Sequence, residues 1–460
     1  MKAVPQATPP LTPGHLDKII HSPHIGYLTT ANRSLEVFVI GTSHFRCNSA
    51  QEVTSLIEQV RPDGVVLELD PERVLRLTKR YAGFDANGDR REKQSSHDVL
   101  YGADFIAAVN ACQQLDIPMF LGDEYAHETK RRLTQQFLNW GDAYSPAPFV
   151  QSIVEGMRSD EDMHKSRIDL FQSFVNDPQK LTPIVLTSTP PFLIASALAL
   201  FDNGAMAYDG SVLLSSMGIT ISILSSFLAS CLLFNTVIVE RDKIIASNTI
   251  HAYNVVRSLK DNDLIRKRWR FTAKGQNKPS DNTELINASE SLPLFTLKSP
   301  LVKGAIRNLH LFEPRWLNMI DEVTKAKDPL DEKMFGCVRC TNKFYSAVSV
   351  NGVEGRYADV IFETAGTFAK IKQIREGKRA VSGDRKISVS IEGGDSFIVD
   401  VSSLSVSNDG YMVAIPNVEP NNRGLSSFRS SQETSKERIT LVVVVGLLHG
   451  NGVVDLLSKI

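Results

Sequence analysis

Two histidines stand at matching places near opposite ends of this chain. One run, Val-Phe-Val-Ile-Gly-Thr-Ser-His, spans Val37 to His44; the other, Leu-Val-Val-Val-Val-Gly-Leu-Leu-His, spans Leu441 to His449. In each, an apolar stretch stops at a glycine (Gly41, Gly446) and a histidine follows three residues later. Composition alone yields Gly-x-x-His about 0.6 times in such a chain, so the pattern counts only because an apolar strand precedes each copy. Carboxylates end two further apolar runs: Val65–Leu69 leads into Glu68-Leu69-Asp70, and Ile117–Leu121 into Gly122-Asp123-Glu124. A carboxylate inside an apolar strand is costly unless it is paired or metal-bound, which makes Glu68 a site candidate. Asp70 stands where the cap of a following helix is expected. Glu240-Arg241-Asp242 is a third cluster of charge, directly after an apolar segment.

The elements that must position these groups can be read from periodicity. Apolar runs of this length, bounded by turn residues, predict strands buried on both faces, as in a parallel sheet whose carboxyl ends gather ligands. The two strands ending in Gly-x-x-His are expected side by side, with both histidines at one site. Val53–Val60 predicts a helix, Arg61-Pro-Asp-Gly64 a turn, and Val65–Leu69 the second strand of a βαβ unit. Helices are expected over Pro71–Tyr81, Tyr101–Leu115 and Glu240–Ser258, with His127 on the exposed face of a basic helix. Phe137–Lys180 and Leu292–Lys327 also read as helical. Phe344–Ile415, rich in Val, Ser and Ile with alternation, reads as strands with turns at Gly393-Gly394 and Asp409-Gly410.

With 460 residues the chain is long enough for two to three domains, and 51 basic against 52 acidic residues argue against nucleic acid as a partner. Five scattered cysteines exclude a disulfide framework. Cys337-Val-Arg-Cys340 lacks the second pair that a zinc site needs. Leu181–Phe201 and Ser211–Val239 carry no charge, and about twenty apolar residues span a bilayer. Asp202 and Asp209 flank their connector while Lys180, Arg241 and Lys243 lie outside, the asymmetry of a transmembrane hairpin with both soluble parts on one side. A bilayer is therefore an expected partner, and an intracellular organelle membrane the expected location. Buried helices of a soluble α/β protein are the alternative.

Taken in order, Gly41-Thr-Ser-His44, Glu68-Leu-Asp70, Gly122-Asp123, Glu240-Arg-Asp242 and Gly446-Leu-Leu-His449 resemble the TraB/PrgY family, which includes the Tiki-type membrane metalloproteases. The resemblance covers about residues 36–135, 236–258 and 439–460. It implies an α/β core, the TraB-like first part at 36–180 and its closing strand at 439–460, joined by a core helix at 240–258. Around these lie an N-terminal extension (1–35), the membrane hairpin (181–239) and an inserted, partly β accessory region (259–438). It departs from the family where Glu124 replaces the arginine that often follows Gly-Asp, and in the length of the insertion. As chemistry, His44 and His449 would bind a divalent ion (Mn²⁺, Co²⁺, Fe²⁺ or Zn²⁺), with Glu68 or Glu240 completing the shell. The uncoordinated acid of that pair would be the general base and Arg241 would stabilise an oxyanion during peptide cleavage. The rival expectation is a non-catalytic membrane tether or regulator that binds a peptide or protein partner, its histidines and acids serving the fold.

Overall fold

The computed structural model describes residues 25–30, 34–42, 47–82, 102–138, 141–151, 224–225, 227–272, 291–325, 333–350, 353–378, 385–417, 438–446 and 449–459. Five of its strands form one sheet: β1 (Ile25–Thr29), β2 (Leu35–Thr42), β3 (Gly64–Leu67), β4 (Met119–Leu121) and β14 (Ile439–Gly446), in the order β1-β2-β14-β3-β4. Strand β14 runs parallel to both neighbours, Gly446 beside Thr42 and Val444 beside both Ile40 and Leu67. Only β1 is antiparallel, capping the edge beside β2.

A strand such as Leu-Val-Val-Val-Val must be covered on both sides, and alternate residues sort accordingly. Val442 and Val444 join Phe38, Ile40, Val65 and Leu67 in a core closed by α1 (Cys47–Val60) and α3 (Ala103–Leu115). Val443 and Val445 join Val37, Val39 and Val66 in a second core, closed by α5 (Glu240–Lys260) and α7 (Gly450–Leu457). Between β3 and α3, helix α2 (Pro71–Tyr81) starts on the Asp70 carboxylate, which accepts from the amides of Glu72 and Arg73 at 2.9 and 3.0 Å. A further helix, α4 (Ala126–Leu138), follows β4.

The second sheet is built on three long strands, β8 (Met334–Val350), β9 (Val353–Lys378) and β10 (Arg385–Val399). Its main path is β11 (Ser405–Val406), β12 (Met412–Ala414), β6 (Leu292–Leu297), β8, β9, β10 and β13 (Pro416–Asn417); β5 (Leu264–Thr272) pairs with β9 and β7 (Ile306–Leu311) with β10. Helix α6 (Pro314–Lys325) packs Trp316, Leu317, Met319 and Ile320 beneath it. This sheet is fastened to the first unit rather than strung from it. Phe344 and Tyr357 enter the core of α1 and α3, Thr78 Oγ1 accepts from the Ala347 amide at 2.7 Å, and Asn342 Nδ2 donates to the Met119 carbonyl at 2.9 Å. Arg266 grips the fully buried Asp359 with two bonds of 2.9 and 2.6 Å and reaches the Asp116 carboxylate, at the end of α3, at 3.0 Å. Burial pushes the Asp359 pKa up and the Arg266 guanidinium opposes that shift.

Two expectations are corrected here. Leu292–Lys327 is not one helical region: Pro293, Pro300 and Gly304 (φ +76°) break it, giving strands β6 and β7 before helix begins at Pro314. The membrane hairpin, and with it the membrane location, is overturned: among the described residues no helix is long and apolar enough to cross a membrane. Of the two apolar segments, 181–201 lies outside the described residues. The described end of the second, 227–239, passes through a π-helical turn, Asn235–Val239, straight into α5. It is held by polar bonds to protein. Asn235 Nδ2 donates to the carbonyls of Ala143 and Ser145 at 2.8 and 2.9 Å, and the Thr236 hydroxyl bonds Gln136.

Replacing Arg266 with methionine strands Asp359 as a buried, unpaired carboxylate. The expected loss is about 3–5 kcal/mol of unfolding free energy, measured by urea denaturation, with Asp359→Asn in the same chain recovering part of it.

Candidate functional site

The carboxyl ends of β14, β3 and β4 converge on a group of buried charges. Glu68 follows directly on β3 and is almost fully buried; its Oε2 accepts from the Gly446 amide at 2.5 Å, tying β3 to the end of β14. Its Oε1 meets Arg241 Nη2 at 2.7 Å. The same guanidinium holds Asp123, just past β4, with Nε at 3.0 Å and Nη2 at 2.5 Å from Oδ2. Arg73, on the first turn of α2, donates to that Asp123 oxygen at 2.9 Å. One arginine thus neutralises two carboxylates from neighbouring strands, and a second arginine shares one of them.

On the other side of Glu68 stands His449, buried at the start of α7. Its Nδ1–H donates to Asp242 Oδ1 at 2.6 Å, and its Nε2 lies 3.6 Å from Glu68 Oε1, within ion-pair range and beyond a hydrogen bond. Burial raises the Asp242 pKa, and the hydrogen bond from His449 pulls it partly back. The adjacent residues Arg241 and Asp242 lie on the first turn of α5, which is anchored to the exit of β4 by Asn248 Nδ2 donating to the Gly122 carbonyl at 2.9 Å.

The structure therefore brings Glu68, Asp123, Arg241, Asp242, Gly446 and His449 together, and Gly41 packs beside them, its Cα 3.8 Å from where a Cβ on Gly450 would lie. Asp70 caps α2 and approaches Arg73 at 3.9 Å. Glu240 is not part of the cluster: it turns outward to Lys243 at 2.7 Å, since with Arg241 and Asp242 facing inward it lies about 200° around the helix from Asp242. His44 lies outside the described residues. His127 is exposed on α4, beside Glu128. Glu124, where an arginine was expected, bonds Arg132 and the Thr129 hydroxyl of α4.

The metal-binding expectation is corrected only for the described residues, which leave out His44: there the acids are answered by other side chains. Both Glu68 oxygens and the inner Asp242 oxygen are already committed, and the Arg241 guanidinium supplies the positive charge at the place a cation would take. Among the described residues no group of three or more His, Cys, Asp and Glu is arranged to hold a metal. Cys337 and Cys340 form no paired site: Cys337 lies in the core under α6 and Cys340 packs against a different core, and burial pushes their pKa values up to about 12 and about 11.

Two contributors carry no motif of their own. Arg73 is visible only as a cation three residues after a capping aspartate. Gly452 is needed because a Cβ there would lie 2.0 Å from Asp242 Oδ2, so α7 reaches Asp242 only without a side chain at that position.

Comparison with known proteins adds little to this geometry. No family model and no curated protein matches the chain. Among solved structures, a Lon N-terminal domain protein from Xanthomonas campestris is 24% identical over 28% of this chain, with a TM-score of 0.19. The match spans 58% of that protein's length, and at this TM-score it carries no argument about fold or function.

Arg241→Met removes the guanidinium shared by Glu68 and Asp123, leaving Asp123 to Arg73 and Glu68 to the Gly446 amide and His449. It is expected to cost about 3–5 kcal/mol in chemical denaturation, and a second change, Glu68→Gln, to restore part of that loss. Gly452→Ala drives a methyl group into the Asp242 carboxylate and is expected to cost about 1–3 kcal/mol, with the His449 ring resonances displaced in NMR spectra.

Proposed function

We propose that this chain is a non-catalytic binding protein. In this reading the α/β unit, TraB-like in its motifs, serves as a scaffold, and the large β region fastened to it engages a peptide or protein partner. The observation that carries the reading is the position of Arg241. Hydrolytic chemistry at this site needs a carboxylate left open to accept a proton, or ligands left open to hold a cation. With Arg241 between Glu68 and Asp123, and His449 held by Asp242, each of these groups is answered by another side chain of the same cluster.

A closed cluster of this kind stiffens the strand ends from which it is built, since removing a member leaves a buried charge with fewer partners. That rigidity suits a scaffold. The second sheet, held to it through Arg266, Asn342 and the Ala347 amide, then presents its strands in a fixed orientation. A pre-organised surface binds with less loss of freedom than one that must order itself on contact.

The test uses the full chain and a displayed library of linear peptides. The expected result is saturable binding of selected peptides that are recovered intact by mass spectrometry after incubation with Mn²⁺, Co²⁺ or Zn²⁺. Cleavage that requires one of these ions and is lost in His449→Ala would overturn the reading in favour of a metallopeptidase. Failure of every peptide and protein probe to bind would overturn it as well.

A further inference from the structure

Strand β7 ends the second sheet on one side. Among the described strands it pairs only with β10, Ile306 beside Glu392 through Leu311 beside Ile387. Leu309 and Leu311 point into the core, whereas Ile306, Asn308 and His310 face outward. Ile306 is 69% exposed, and Phe312, just past the strand, is 48% exposed. Sheet edges are usually blunted by lysine, proline or a bulge. Here the single charge on the strand, Arg307, is engaged with the carbonyls of Ser299 and Pro300 at 2.9 and 3.2 Å.

We propose that β7 is a self-association surface, on which two copies of this chain pair their β7 strands antiparallel to make one continuous sheet. The occupant is a second copy because the strand is complementary to itself. A two-fold axis through Leu309, perpendicular to the sheet, places Ile306 opposite Phe312 of the second copy, and Phe312 opposite its Ile306. Asn308 then faces His310, and Arg307 faces Leu311. Side chains directly opposite in an antiparallel pair lie on the same face and touch. The two exposed apolar residues therefore cover each other at both ends, an amide faces an imidazole between them, and no like charges meet. A shift of one residue sets Ile306 against Leu311, whose side chain belongs to the core face. A shift of two sets Ile306 against His310 and takes Phe312 away from Ile306 of the second copy.

This surface lies apart from the charge cluster, and the inference stands whether or not the binding reading above holds. Sedimentation velocity of the full chain over a wide concentration series tests it. The expected result is a rise from the monomer to the dimer sedimentation coefficient as concentration increases. Ile306→Glu and Phe312→Lys, each at an exposed site and each checked for folding by circular dichroism, are expected to remain monomeric throughout. The double variant Ile306→Glu/Phe312→Lys sets glutamate opposite lysine at both ends and is expected to restore the dimer. A wild-type monomer at every concentration would overturn the proposal. So would a dimer indifferent to the single substitutions, or one that the double variant fails to restore.

Discussion

Glu68 is a carboxylate at the end of a strand whose every other side chain is buried in hydrocarbon, and the fold around it is arranged to answer that charge. The answer comes from three directions: the Gly446 amide at the end of β14, the Arg241 guanidinium from α5, and His449 from the start of α7. Each of these elements is distant from Glu68 in the chain. The cost of leaving the carboxylate alone in a low-dielectric interior is large compared with the net stability of a domain, so none of the three can be displaced independently. Asp123 extends the same requirement to β4 and, through Arg73, to α2.

That arrangement explains the order of the sheet. Strand β14, the last in the chain, lies between β2 and β3, so the βαβ unit formed early in the sequence leaves a gap that only the terminal strand fills. Both faces of β14 are covered, by α1 and α3 on one side and by α5 and α7 on the other. Closing such a distant contact is entropically slow and costly, and it is repaid by four valines buried on two faces together with the charge contacts at the strand end.

The second sheet is also joined to the α/β unit through Arg266. Asp359, wholly enclosed in β9, has its counter-charge on β5 in Arg266, and that same side chain reaches Asp116 at the end of α3. Around it the apolar contacts of Phe344 and Tyr357 merge the long β8–β9 pair with the α/β core. The bidentate pair with Asp359, made within the second sheet, fixes the Arg266 guanidinium so that it can reach Asp116 of the α/β unit.

Much of the α/β unit is legible in the sequence because its signals are local. Valine-rich runs stopping at Gly41 and Gly446 read as buried strands, Asp70 before Pro71 reads as a cap, and the adjacency of the two Gly-x-x-His strands follows from their likeness. Other features depend on groups far apart in the chain. That Glu240 turns away while Arg241 and Asp242 turn in is set by how α5 docks, since helical neighbours differ only in direction. That Arg241 stands where a cation was expected follows from Asp123 and Glu68 lying on adjacent strand ends, a distance the sequence does not record. Apolar content at Ser211–Val239 suggested a bilayer because composition cannot tell lipid from protein as the covering phase; in its described end, 227–239, Asn235 and Thr236 find protein partners. Sequence by itself determined which residues are apolar, charged or able to turn. Tertiary structure decided which buried charges meet, because electrostatic pairing depends on distance and enclosure.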